Sequence, residues 1–142
     1  MANIGASAAG NGDGRINGLW DSTTATDESV LFWEHVRKAN LAAGPTSISS
    51  VPTVTDFLPK NAEGGIIGIQ SGVTPPINGM VGSYIVCSKG ILGKFVKQLD
   101  ITMDDGNTNS GSLQAVATVT SLPSNPVATV NDADTYTVCL GF

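Results

Sequence analysis

The sequence predicts an α+β fold: an antiparallel β-sheet of about four strands, with one main helix packed across it and a short second helix. Three observations lead there. Residues 27–43 (DESVLFWEHVRKANLAA) carry apolar side chains at helical spacing between clear start and stop signals. Ser112–Ser121 (SLQAVATVTS) alternates apolar and polar residues, the period of a half-buried strand. The 142 residues include 17 glycines and 7 prolines, which favours short elements and many turns within a single domain, 1–142.

The elements follow in order. Residues 1–26 are rich in Gly, Ala, Ser and Asn, and apolar anchors arrive only at Ile16, Leu19 and Trp20. They read as an N-terminal loop that docks at Leu19-Trp20. In the helix 27–43, Thr26 or Asp27 can cap the start through a side-chain oxygen. Asp27 and Glu28 in the first turn, and Arg37 and Lys38 near the last, both suit the helix dipole. Gly44 can take the left-handed position that ends the helix, and Pro45 prevents its continuation. Leu31, Trp33, Val36 and Leu41 need a surface to lie on, and a sheet supplies it.

Residues 45–64 read as a Pro/Ser/Thr-rich connection with apolar points at Ile48, Val51, Val54 and Phe57-Leu58. The sheet region spans 65–142. Its strands are Gly65–Gln70, Met80–Cys87, Ser112–Ser121 and Thr135–Leu140, with turn signals at Pro75-Pro76, Asn78-Gly79 and Ser121–Pro126. A helix is expected over 89–103, because Ile91, Leu92, Phe95, Val96, Leu99 and Met103 recur at i, i+3, i+4. Asp104-Asp105-Gly106 stops it. A meandering antiparallel sheet with a helix across it is the economical packing of this order.

Composition narrows the function. Only 13 % of residues are charged, the formal net charge is −5, and there are seven Lys and Arg in all. Nucleic-acid binding therefore has little electrostatic support, and an anionic membrane surface would repel the chain on average. No apolar run approaches the roughly 18 residues of a membrane span. The N-terminal MANIGASAAGNG lacks the basic start and long apolar stretch of a signal peptide, so an exported protein would carry these residues in its mature form.

Cys87 and Cys139 are the two cysteines, and a disulfide is the preferred reading over two buried thiols. The flanks VCSKG and TVCLGF look like strand ends, and the low-charge, Thr/Ser/Asn/Gly-rich composition suits an extracellular protein. Closing a loop of about 50 residues would stabilise the fold by at most about 4 kcal/mol.

Two stretches are candidate cation sites, with calcium the only cofactor suggested and none required. In GNGDGRI, Asn11, Asp13 and Gly14 match the third, fifth and sixth positions of a calcium loop. Ala9 and Trp20 stand where its two strongest carboxylates belong, so a plain glycine turn is the alternative. Asp100, Asp104 and Asp105 form a second acidic group, with Asp100 and Asp104 one helical turn apart. The alternative there is a solvated helix end, compensated by Lys94 or Lys97, since carboxylates at a helix C-terminus oppose its dipole. Catalysis finds little material. His35 is the only histidine, and no nucleophile elbow, His/Cys metal spacing or phosphate loop is present, so the expectation is a non-enzyme. Trp20 and Trp33 read as core or interface anchors.

The loop GNGDG, followed by an acidic start and the helix LFWEHVRKANLAAG, resembles the region after the N-terminal helix of bacterial type IV pilin-like proteins and pseudopilins. The counterparts here are Gly12–Gly14, Glu28, Trp33, His35, Val36, Ala39, Asn40, Leu41 and Gly44. The segment VCSKGILGKFVKQLDITMDDGNTNSGSLQA is similar to the same group, in which a Cys precedes a helix that ends in a DDG element leading to a strand. Cys139 near the C-terminus completes the resemblance. It implies a globular head domain whose C-terminal region is closed by a disulfide, at the bacterial cell surface, in a filament or in the periplasm.

The implied partners are other pilin subunits, in a homo- or hetero-polymer of a type IV pilus or a type II secretion pseudopilus. The long hydrophobic helix that begins a pilin is absent, so it is either truncated or supplied by a separate subunit. Leu19, Trp20 and Trp33 are the residues expected to contact it. The competing expectation is a secreted, calcium-dependent module that binds glycan or protein.

Overall fold

The structure, a computed structural model, describes residues 5–118 and 121–142. Residues 1–4, at the start of the expected loop, and Val119 and Thr120, in the expected strand 112–121, lie outside the described residues. The helices are α1 (Glu28–Lys38), α2 (Val54–Phe57) and α3 (Gly93–Met103), with a 3-10 turn at Ile48–Ser50. The strands are β1 (Ile67–Ser71), β2 (Tyr84–Leu92), β3 (Leu113–Ala117) and β4 (Thr135–Gly141).

All four strands pair antiparallel in one sheet, with helices packed against it, as the sequence predicts. The order β1-β2-β4-β3 is not a meander, because the last strand inserts between β2 and β3. Tyr136, Thr137, Val138 and Cys139 are all buried, so β4 needs cover on both faces and a hydrogen-bonded neighbour on both sides. An interior position supplies all of these.

The residues of 89–92 depart from the expected helix. They continue β2 through a bulge, with Ile91 opposite Tyr136 and Leu92 opposite Thr135. Gly90 takes φ 76°, a left-handed conformation that suits glycine at a bulge, and α3 starts only at Gly93. The apolar spacing fits either element here, and pairing with a strand over forty residues away decides between them.

Helix α1 also ends earlier than expected, at Lys38 rather than Ala43. Asn40, at φ 59°, takes the left-handed position that ends the helix, and Gly44, also at positive φ (127°), lies in the loop beyond it. The Asn40 amide donates to Arg37 O at 3.0 Å and the Leu41 amide to Val36 O at 2.8 Å, which together make a Schellman cap. Leu41 is 79 % exposed, so the cap forms without its usual apolar contact. At the other end Asp27 is the N-cap by backbone geometry, but its carboxylate accepts from Ser22 Oγ at 2.6 Å instead of a helix amide. The connection 45–64 is more ordered than its composition suggests. Thr53 caps α2 through Asp56 N at 3.1 Å, and Phe57 and Leu58 are buried.

Strand alternation sorts the core into two layers. On one face Leu113, Ala115, Tyr136 and Val138 pack with Ile91, Val130 and Val96 of α3. On the other, Ile85, Cys87, Val116 and Cys139 pack with Trp20, Ile77 and Met80. A third cluster joins Val30 of α1 to Phe57 and Leu58, and Ile66 links it to the second. Cys87 and Cys139 are opposite one another in the β2–β4 register and form a disulfide. Helix α3, not α1, lies across β2, β3 and β4, whereas α1 meets the sheet at β1. Its buried face is Gly93, Val96 and Asp100, which leaves Phe95, Leu99, Ile101 and Met103 exposed to different degrees.

Candidate functional site

The end of α3 gathers three of the expected cation ligands. Asp100 lies on the buried face of the last turn, Asp104 is the C-cap, and Asp105 follows in the loop. Carboxylate oxygens of the three lie within 4.8 Å of one another. The loop then turns back into β3, held by its own amides. Asp105 Oδ1 accepts from Asn107 N at 2.9 Å, and Asp104 Oδ2 accepts from Leu113 N at 2.7 Å. Thr108 ties the loop down by donating from Oγ1 to Val127 O at 2.8 Å.

Asp100 differs from its two neighbours. It is 0 % exposed, and neither carboxylate oxygen has a hydrogen-bond partner. Burial raises its pKa above the ordinary carboxylate value, and the charges of Asp104 and Asp105 push it the same way. Neither lysine expected to compensate the cluster does so. Lys97 pairs with Asp132 at 2.7 Å, and Lys94 lies 4.8 Å from the centroid of the Phe95 ring.

Asn11 and Asp13 are not part of this group. Asp13 accepts from Arg15 N at 2.8 Å, Asn11 Nδ2 at 3.1 Å and Asn17 Nδ2 at 3.2 Å. The Arg15 amide first, and the Asn17 amide after it, hold its carboxyl below the ordinary value. The loop is closed by Glu28, whose two oxygens accept from Asn11 N at 2.8 Å and Asn17 N at 3.0 Å. Tyr84 adds a tether from β2, its hydroxyl donating to Gly14 O at 2.9 Å.

Upstream of that loop the chain runs antiparallel along α1. Lys38 donates to Gly5 O, and Ser7 donates to Glu34 Oε1 through both its amide and its hydroxyl. His35 Nε2 donates to Ala8 O at 2.8 Å, so the lone histidine fastens backbone. Glu34 is fully buried and also meets Lys38 Nζ at 2.7 Å. Burial alone would raise its pKa, but the hydrogen bonds from Lys38 and Ser7 outweigh it and hold the carboxyl below 4.5. Glu28 and Glu34 are functional in this local sense; in the sequence Glu28 stands out through the helix dipole and the pilin-like motif, neither of which points to its loop partners, and Glu34 does not stand out at all. Their partners lie in a loop without periodicity, and no spacing rule reaches them.

The three residues expected at an assembly surface separate. Leu19 is 59 % exposed, beside a shallow depression that it shares with Arg15, Ile16, Val73 and Thr74. Trp20 is 2 % exposed and belongs to the disulfide cluster, with its amide donating to Gln70 Oε1 at 2.9 Å. Trp33 is half-buried against the α1 cluster, edge-on to Phe32, and its indole N–H has no partner.

None of the protein families, characterised proteins or solved structures compared with this chain matches it. No helix among the described residues is long and apolar enough to cross a membrane.

Proposed function

We propose that this chain is the head domain of a bacterial type IV pilin-like subunit, of a pilus or of a secretion pseudopilus, with a structural rather than catalytic role. The observation that carries the reading is the apolar stripe of α3. Phe95, Leu99 and Met103 follow one another at i, i+4, i+8 and are 43 %, 36 % and 52 % exposed. A helix that buries its small face and turns its large apolar side chains outward suits packing against a neighbouring subunit. Low charge supports the same reading, since neighbours then meet with little repulsion. The segments that carry the resemblance also act as scaffold here: the GDG loop closes on Glu28, and the element ending α3 leads directly into β3.

Deleting the gene in the producing bacterium tests this. The expected result is loss or shortening of a surface or periplasmic filament, restored by the intact gene and not by a Phe95→Ser/Leu99→Ser copy. Filaments unchanged in number and length contradict it. The acidic cluster favours one second reading, a secreted calcium-dependent module that binds glycan or protein. Saturable, calcium-dependent binding of the isolated chain to a glycan array, together with unchanged filaments, would select it.

A further inference from the structure

We propose that Asp100, Asp104 and Asp105 form a Ca²⁺ site that ties the end of α3 to the start of β3. The Asp100 carboxylate is wholly buried and both its oxygens lack a hydrogen-bond partner. Such a group is costly to bury unless something compensates it. What it faces is two more carboxylates, with ligand oxygens of all three within 4.8 Å of one another. Oxygens on opposite sides of one Ca²⁺ stand about 4.8 Å apart, twice a Ca–O distance of roughly 2.4 Å, so a single ion reaches all three.

Among the described residues no side-chain cation forms an ion pair with this cluster. The ion pairs among the described residues are Lys38–Glu34, Lys60–Asp56 and Lys97–Asp132, and none touches the cluster. The C-terminal end of the α3 dipole adds negative potential at the same place. A donor set of carboxylate oxygens alone selects a hard cation. Ca²⁺ suits it better than Mg²⁺, which gives up its waters reluctantly, because Asp100 ligates from a fully buried position.

The surrounding chain holds two of the ligands in place. The Leu113 amide donates to Asp104 Oδ2, and the Asn107 amide donates to Asp105 Oδ1. Gly111, at φ 76°, lies against Asp104, where an added Cβ would run into the carboxylate. Asp105 is exposed and provides the way in. The proposal stands apart from filament assembly, since the whole site lies within one chain.

Chelator-stripped protein at pH 7, titrated with CaCl2 or MgCl2 by calorimetry and melted with CaCl2 or EDTA, tests it. Expected are saturable binding of one Ca²⁺, binding of Mg²⁺ about ten-fold weaker or more, and a Tm rise of order 5 °C in saturating Ca²⁺. Asp105→Asn, at an exposed position, should weaken Ca²⁺ binding about ten-fold or more while leaving the Tm in EDTA within about 2 °C. Asp100→Asn should abolish the Ca²⁺-dependent rise and keep or raise the Tm in EDTA, because it removes an uncompensated buried charge. If Asp100→Asn fails to fold, Asp105→Asn decides. Equal Tm in Ca²⁺ and EDTA without saturable heat overturns the proposal, as does a Ca²⁺ response that survives Asp105→Asn unchanged.

Discussion

The Arg37 guanidinium lies 4.8 Å from the centroid of the Phe57 ring and donates to the carbonyl of that same residue at 2.7 Å. One side chain thereby joins α1 to α2, and it reaches the intervening loop through Ala43 O at 3.1 Å. Arg37 is 4 % exposed and burial lowers its pKa; its N–H groups donate to the carbonyl oxygens of Ala43, Pro45 and Phe57, and no carboxylate among the described residues pairs with it. Arg37→Ala should cost about 2–3 kcal/mol, since it leaves buried carbonyls without a donor and opens a gap on Phe57. Arg37→Lys should recover less than half of that, because an ammonium cannot serve these carbonyls from one plane. Urea unfolding of both variants checks this.

The start of α1 was legible because charge placement is a local signal, but the expected side-chain cap was not formed, since the Asp27 carboxylate binds Ser22 across the preceding turn. The end of α1 was not legible, because Gly44 and Asn40 both tolerate the left-handed conformation, and Gly44 instead lies where the Arg37 guanidinium packs. The strands around Cys87 and Cys139 were legible as strands, but the insertion of β4 between β2 and β3 depends on pairing far apart in sequence. The acidic cluster was visible in the i, i+4 spacing of Asp100 and Asp104. That Asp100 faces inward depends on which stripe of α3 meets the sheet, and the apolar residues Phe95, Leu99 and Met103 point to a stripe about a quarter-turn away. Trp20 was visible as an anchor, but its complete burial follows from the close approach of its backbone to Gly68 on β1.

Glu34 gives the acid limb of stability. Its folded pKa is depressed below 4.5, so its contribution is fully present above that value and is lost as pH falls through the folded pKa. Glu34→Gln should lower stability at pH 7 by about 1–2 kcal/mol. It should also flatten the fall in stability below pH 4.5, the unshifted Glu value. Denaturant midpoints measured across pH 2–7 for both proteins read this directly.

The disulfide should matter most to the global fold. Cys87 and Cys139 join the two central strands, and both are 0 % exposed. Replacing both with Ser should cost about 2–4 kcal/mol, measured by chemical denaturation, and a reductant should then have no further effect.

Phe95 and Leu99 should separate stability from assembly. Both are partly exposed, so Phe95→Ser with Leu99→Ser should change the unfolding free energy of the isolated chain by about 1 kcal/mol or less. Filament yield from cells should nevertheless fall several-fold. Comparable losses in both measurements would instead assign these side chains to the core.

The most direct test of the central claim is immunogold electron microscopy. Antibody raised against this chain is applied to the producing bacterium and to filaments sheared from it. The pilin-like reading predicts gold particles at regular spacing along filaments, absent from the deletion strain. Label confined to the medium or to bound extracellular material, with filaments unlabelled, contradicts it.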